Sequence, residues 1–189
     1  KVPELQGYAD IRTEVKYGNE NSRIDLLLTG DTSKDSKDCY VEVKSVTLLE
    51  ASGRGFFPDA VSSRGTKHLR ELIEVVANGG RAVLFFCVQH SGINTVEPAG
   101  HIDPEYTSTI KMAVEAGVEV LAYKCRMSPQ SISISKKLTF LPDSTIGLAI
   151  FDNKEVGTGV RYPVVHSEQA LISYQPRKAF MKVSSYGEN

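Results

Sequence analysis

Two stretches are the most informative in this sequence: Ser22-Arg23-Ile24-Asp25-Leu26-Leu27-Leu28, and Tyr40-Val41-Glu42-Val43-Lys44-Ser45. Each is short and apolar and carries β-branched or aromatic residues, which is typical of a buried strand of four to eight residues. The polar segment between them, residues 30–38, predicts an exposed hairpin loop. The sequence therefore predicts two neighbouring strands that carry unexpected charges.

The charged residues Asp25, Glu42 and Lys44 in these two strands predict a metal-binding site. Side chains alternate across a strand, so Glu42 and Lys44 are expected on one face. A buried carboxylate and a buried ammonium are costly to desolvate unless they face a metal, a polar partner or an open cleft, and Asp25 obeys the same logic. An acidic residue beside a Glu-x-Lys pair can hold a magnesium ion for phosphodiester hydrolysis. The alternative is an ion pair at a strand edge.

Length and composition limit the number of domains and the kinds of partner that the chain can have. The chain has 189 residues with a net charge of −1, which is compatible with one domain or one domain plus a small appendage. Apolar residues make up 41% and charged residues 24%, so disorder is not favoured. Because the net charge is near zero, any affinity for nucleic acid must come from locally arranged Lys and Arg.

Three cysteines, Cys39, Cys87 and Cys125, are far apart and show no zinc-binding spacing. This pattern predicts reduced, buried thiols in a cytoplasmic protein. We expect no membrane span and no signal peptide, because no stretch is long and apolar enough. The first residue is not Met, which hints at a missing upstream segment.

The remaining pattern predicts an α/β fold with a mixed central sheet flanked by helices. Helical periodicity covers residues 64–78, and Asp103 before Pro104 predicts the start of a helix that ends near residue 117. Residues 81–88 and 118–125 predict buried strands, and residues 53–59 predict a loop. We place the main domain at residues 1–139 and an unassigned β-rich appendage at residues 140–189.

Several blocks closely resemble the sugar fermentation stimulation protein A family. They occur in the family's order over residues 4–139: Glu14-Val15-Lys16-Tyr17-Gly18, Ser22-Arg23-Ile24-Asp25, Cys39-Tyr40-Val41-Glu42-Val43-Lys44-Ser45-Val46-Thr47-Leu48, Phe57-Pro58-Asp59-Ala60-Val61, Arg64-Gly65, Lys67-His68-Leu69-Arg70-Glu71-Leu72, Pro98-Ala99, His101-Ile102-Asp103 and Leu121-Ala122-Tyr123-Lys124. Consecutive blocks in one order are far more specific than a single Glu-x-Lys pair.

The resemblance implies a DNA-binding protein linked to regulation of sugar metabolism genes in bacteria, with a PD-(D/E)xK nuclease-like core. It implies that Asp25, Glu42 and Lys44 are nuclease-type catalytic residues and that Glu14 is a further acidic member. Asp25 and Glu42 would then hold Mg²⁺ or Mn²⁺. Glu14 is equally compatible with a surface acid beside Lys16. Family members usually begin with a small OB-like barrel, which does not occur in this sequence.

Candidate phosphate contacts are Arg23, Arg54, Lys67 and Arg70, although Lys67 and Glu71 are also spaced for an intrahelical ion pair. The four histidines show no metal-ligand spacing, and we expect surface or capping roles for most of them. His68 and His101 deserve testing because both lie in matched blocks. Three functions remain open: a metal-dependent nuclease, a DNA-binding regulator without turnover, and an interaction module that uses the tail after Phe140. A homodimer is also possible.

Overall fold

A computed structural model of the chain describes residues 2–18, 22–31 and 37–142. In these ranges the strands are β1 (Tyr8–Tyr17), β2 (Ser22–Asp31), β3 (Cys39–Val46), β4 (Leu48–Leu49), β5 (Arg54–Phe57), β6 (Arg81–Val88), β7 (Thr95–Pro98), β8 (Glu119–Ser128) and β9 (Ser131–Phe140), and the helices are α1 (Ser63–Ala77) and α2 (Pro104–Glu115). Single 3-10 turns occupy Pro3–Leu5 and Ala51–Gly53.

The strands form one mixed sheet in the order β1-β2-β3-β6-β8-β9-β7-β5-β4. The centre is parallel, since β3 pairs with β6 and β6 with β8, whereas β1, β2 and β3 pair antiparallel. The predicted mixed α/β fold is therefore confirmed. Both helices contribute to the core on one face of this sheet.

The prediction of a loop at residues 53–59 is wrong over its centre, because β5 pairs with β4 and with β7. Gly55 is buried in β5, and a Cβ at this position would lie 2.5 Å from Ile93 Cγ2. The glycines that indicated a loop instead permit close approach of the backbone to a neighbouring side chain.

The two helices begin at a shared cap. The Asp103 carboxylate accepts from the Tyr106 backbone N–H at 2.9 Å, which confirms the predicted start of α2. Its other oxygen accepts from the Ser62 N–H at 2.8 Å, and the Ser62 hydroxyl accepts from the Gly65 N–H at the start of α1. One buried carboxylate therefore fixes the start of α2 and the residue before α1.

Hydrophobic residues lie on both faces of the sheet. The helix-side core joins Ile24, Leu27, Val46, Leu84, Phe86 and Val88 to helical residues that include Leu69, Leu72, Tyr106 and Ile110. The opposite face packs Leu28, Cys39, Val41, Val83, Phe85, Leu121 and Tyr123, with Val2 and Leu5 against them. All three cysteines are free, with Cys39 and Cys125 buried as predicted and Cys87 half-buried.

Neither helix in the described part of the chain has the length and apolarity needed to cross a membrane. The predicted hairpin loop falls partly outside the described residues, at positions 32–36. The predicted β-rich appendage also lies outside them from residue 143 onward, so its boundary and its character stay predictions.

Candidate functional site

β3 presents Glu42 and Lys44 on the face of the sheet that α1 covers. Glu42 lies opposite Leu84 of β6 and Lys44 opposite Phe86, and both partners belong to the helix-side core. The Lys44 Nζ donates to Glu42 Oε1 at 2.7 Å, while the Glu42 side chain is 3% exposed and the Lys44 side chain 15%. The predicted common face is therefore confirmed, and strand alternation is its cause.

Asp25 reaches the same place because the sheet is irregular there. The β2–β3 pairing runs from Leu28–Cys39 to Leu26–Val41 and does not continue to Asp25. Beyond that point the Asp25 Oδ2 accepts from the Val43 backbone N–H at 2.6 Å. A side-chain carboxylate thus takes the place of a strand carbonyl, which brings Asp25 next to β3.

The faces of β2 confirm this irregularity. Ile24 and Leu27 both contribute to the helix-side core although they are three residues apart. Strict alternation would place them on opposite faces, so the alternation is interrupted between them. Asp25, Glu42 and Lys44, named the acidic site below, therefore converge at the point where β2 separates from β3.

Glu14 of β1 borders the acidic site. On either side of it Thr13 pairs with Leu26 and Val15 with Ile24, so Glu14 stands opposite Asp25. Its φ of 53° lies in the left-handed region, which costs a non-glycine residue about 1–2 kcal/mol. Glu14 is exposed, and the structure brings its charge close enough to Asp25 to help raise the pKa of that carboxyl.

Two carboxylates of the acidic site have pKa values shifted in opposite directions. The pKa of Asp25 is raised, chiefly by burial and further by the charges of Glu42 and Glu14. Burial also opposes ionisation of Glu42, but hydrogen bonds from His68 and Lys44 and the Lys44 charge outweigh it, so the pKa of Glu42 is lowered. Glu42 is therefore held as the anion, whereas Asp25 takes up a proton more readily than an ordinary Asp.

His68 lies at the acidic site, and the sequence analysis had assigned it no role there. His68, one of the two histidines singled out for testing, is 4% exposed, and its Nδ1 donates to Glu42 Oε1. Arg64 Nε donates to the other ring nitrogen at 3.4 Å, which is consistent with the hydrogen on Nδ1. A usable signal existed, since His68 lies one helical turn before Leu72, on the apolar stripe of α1.

Glu71 lies farther along α1 and is also buried. It is 3% exposed, and its carboxylate lies beside the Tyr17 hydroxyl, which hydrogen-bonds to it. The alternative of a Lys67–Glu71 intrahelical ion pair stays a prediction. Glu42 Oε2 is also buried and has no hydrogen-bond partner. Burial, the charges of nearby Glu42, Glu71 and Asp25, and the hydrogen bond to the Glu71 carboxylate all raise the pKa of Tyr17.

The predicted phosphate contacts are spread over the fold. Arg23 is an exposed residue of β2, and Lys67 is half-buried on α1. Arg54 Nε donates to buried Glu97 at 2.7 Å, and its guanidinium lies 5.0 Å from the centre of the Phe56 ring. Arg70 donates to Glu105 at 2.7 Å on the surface. Arg54 and Arg70 are thus engaged in ion pairs.

Chemically, the acidic site combines two carboxylates with one ammonium. Within residues 2–18, 22–31 and 37–142, no group of three or more His, Cys, Asp or Glu side chains is arranged to hold a metal ion. A cation at the acidic site would have Asp25 and Glu42 as protein ligands. Mg²⁺ commonly binds through one or two carboxylates and keeps several waters. The pair therefore suits such an ion.

Comparison with known proteins identifies relatives over the same part of the chain. The sequence profile described as "Sugar fermentation stimulation protein RE domain" matches residues 1–131. The sugar fermentation stimulation protein homolog of Pseudoalteromonas atlantica is 59% identical over 140 residues, which are 74% of this chain and 58% of that protein. The homolog of Shewanella baltica is 60% identical over 135 residues, or 71% of this chain and 56% of that protein.

A solved structure has a similar fold. The structure of Pyrococcus furiosus SfsA in complex with Ca²⁺ superposes with a TM-score of 0.65 at 31% sequence identity. The match covers 74% of this chain and 58% of the Pyrococcus chain. This chain therefore spans somewhat more than half the length of the relatives that it matches.

Proposed function

This chain belongs to the sugar fermentation stimulation protein family, and we propose that it carries a metal-dependent, nuclease-like site that acts on DNA. The proposal rests on one observation, the convergence of Asp25, Glu42 and Lys44 where β2 separates from β3. A buried carboxylate, a half-buried carboxylate and an ammonium at a strand break are the side chains that a PD-(D/E)xK site needs.

Asp25 and Glu42 would hold Mg²⁺ or Mn²⁺. The fit is supported by Glu42, whose Oε1 accepts from Lys44 and His68 while its buried Oε2 has no hydrogen-bond partner. The related Pyrococcus furiosus protein was solved in complex with Ca²⁺, another cation that prefers oxygen ligands. When bound, the cation would lower the pKa of a coordinated water and stabilise negative charge on the phosphate.

The protein side chains have separate tasks in this proposal. Lys44 offsets phosphate charge and orients the attacking water, since its ammonium is held 2.7 Å from Glu42 Oε1. His68 is a positioning residue, because it holds Glu42 and lies below the surface. Glu14 is exposed opposite Asp25 and can act through water or a further ion.

Cleavage of plasmid DNA tests the proposal. The 189-residue chain is expected to nick supercoiled plasmid with Mg²⁺ or Mn²⁺ but not with EDTA. Lys44→Ala is expected to lower the rate by roughly 10²-fold or more, the range for loss of a group that assists proton transfer. Lys136→Ala, which removes an exposed lysine of β9, is the matched control. Equal cleavage by wild type and Lys44→Ala would refute the assignment.

A DNA-binding regulator without turnover is the second candidate. It is favoured by the hydrogen bonds that already engage Glu42 Oε1, and the family name suggests sugar fermentation genes as its target. This function predicts salt-sensitive DNA binding that survives Glu42→Gln, with no cleavage in any divalent cation. Failure to bind DNA at low salt would count against it, and cleavage that depends on Lys44 would favour the nuclease.

A further inference from the structure

Two of the three cysteines lie side by side on neighbouring strands. Cys87 Sγ and Cys125 Sγ are 3.1 Å apart, and both thiols are free. A disulfide has an S–S length of about 2.04 Å, so these sulfur atoms must approach by about 1 Å to form a bond. Two thiols in contact within one chain can pass reversibly between the reduced and the bonded state.

The geometry of the sheet brings the two thiols together. Cys87 stands opposite Tyr123 in the parallel ladder of β6 and β8, two residues before Cys125. That ladder ends at the next pair, Val88 and Lys124. The register of β8 against β9 then shifts between Lys124 and Cys125. Such a shift re-aims a side chain, and the Cys125 thiol contacts Cys87 at the end of the ladder.

The two thiols have different surroundings. Cys87 is half-buried, and the Gln89 side-chain amide donates to its sulfur at 3.8 Å. Cys125 is 6% exposed, and burial together with the hydrogen bond to Cys87 raises its pKa. Cys125 therefore keeps its hydrogen and donates it to the Cys87 sulfur. Cysteines that sense oxidants are accessible and often lie next to a resolving cysteine, and Cys87 and Cys125 fit these two roles.

We propose that Cys87 and Cys125 are a site of reversible oxidation, at which a peroxide such as hydrogen peroxide forms an intrachain disulfide. The Cys87 sulfur attacks a peroxide oxygen, the O–O bond breaks, and Cys87 becomes a sulfenic acid while one water forms. The Cys125 sulfur then displaces the hydroxyl group as a second water, and the S–S bond forms. The two thiols together lose two hydrogens and two electrons, and hydrogen peroxide is reduced to two waters.

The disulfide would join the end of β6 to β8 and close a loop that contains β7 and α2. On its other side β6 pairs with β3, where Cys87 stands opposite Ser45, the residue after Lys44. Oxidation would therefore restrain a strand that borders the acidic site without using any side chain of that site. The proposal goes beyond the nuclease-like function and does not depend on it.

Treatment of the folded 189-residue chain with hydrogen peroxide tests the proposal. The number of free thiols should fall from three to one. Peptide mass spectrometry without reductant should find Cys87 joined to Cys125 and Cys39 free, and dithiothreitol should restore all three thiols. In concentrated urea this selectivity should disappear, because the unfolded chain can also join Cys39 to either partner.

Single substitutions separate the roles of the thiols. Cys39→Ala is the matched control and should still form the disulfide. Cys125→Ala should hold Cys87 as a sulfenic acid that dimedone traps, whereas Cys87→Ala should keep both thiols under conditions that oxidise the wild type. The proposal is overturned if the folded wild type keeps three thiols, or if its disulfides involve Cys39 or join separate molecules. Because the wild type decides the result, a variant that does not fold leaves the test intact.

Discussion

Replacing His68 tests how the buried charge of Glu42 is held. In His68→Leu a side chain of similar size removes the N–H that donates to Glu42 Oε1. The Glu42 side chain is 3% exposed, so water cannot easily replace the lost donor. We expect the variant to lose stability because one partner of a buried charge is removed while the charge remains.

The size of the expected stability loss depends on the two side chains, His68 and Lys44, that donate to Glu42. A hydrogen bond to a charged group contributes about 1.5–3 kcal/mol. Because Lys44 donates to the same carboxylate at 2.7 Å, Glu42 keeps one partner in the variant, and the expected loss is about 2 kcal/mol, below the roughly 3–5 kcal/mol for a buried charge left without its partner. With a urea m value of about 2 kcal/mol/M, the unfolding midpoint should fall by about 1 M.

Urea unfolding of the metal-free protein measures this loss. The matched variant is His68→Asn, whose side-chain amide can place an N–H near the position of Nδ1. It should retain about half of the free energy that His68→Leu loses, given a net value of about 1 kcal/mol for a hydrogen bond. A Leu variant as stable as wild type would refute the conclusion that His68 holds a buried anion.

Two further predictions concern the residues around the acidic site. Asp25→Asn should raise the urea midpoint of unfolding at pH 7. The pKa of Asp25 is raised in the native state, so the native state favours the protonated carboxyl. The stabilisation from that proton is complete below the ordinary Asp pKa and is lost as the pH rises through the raised pKa, and a neutral Asn avoids this loss. The gain should vanish near pH 3, and a less stable variant at pH 7 would contradict this reasoning. Gly18→Ala should cost about 1–2 kcal/mol from its left-handed backbone and more from the approach to Glu71. Gly79→Ala, at φ +85° with nothing within 4 Å of the added Cβ, isolates the backbone effect, so equal losses would disprove the Glu71 contact.

Much of the local structure follows from the sequence. Period-two alternation in β3 places Glu42 and Lys44 on one face, and Asp103 before Pro104 marks the start of α2. These features depend on residues close together in the chain. Their physical causes, strand geometry and helix capping, act over a few residues and can be recognised without the rest of the fold.

The strand β5, in contrast, could not be recognised from its local sequence. Its Gly-rich sequence resembles a loop, and it becomes a strand because β4 and β7 supply pairing partners. Strand formation depends on such partners as well as on local preference. Since β7 lies some forty residues downstream, no local pattern around Gly55 could reveal the pairing.

The acidic site shows most clearly what the sequence determines and what only the tertiary structure determines. Asp25 joins Glu42 only because β2 leaves the ladder and its carboxylate accepts from Val43. His68 and Glu71 face inward because α1 packs on that face of the sheet, which turns two ordinary helical positions into buried charged ones. The side chains that carry the candidate chemistry were thus visible in the sequence, but their partners and their burial depend on how distant segments pack, since desolvation and charge pairing arise only when those segments meet.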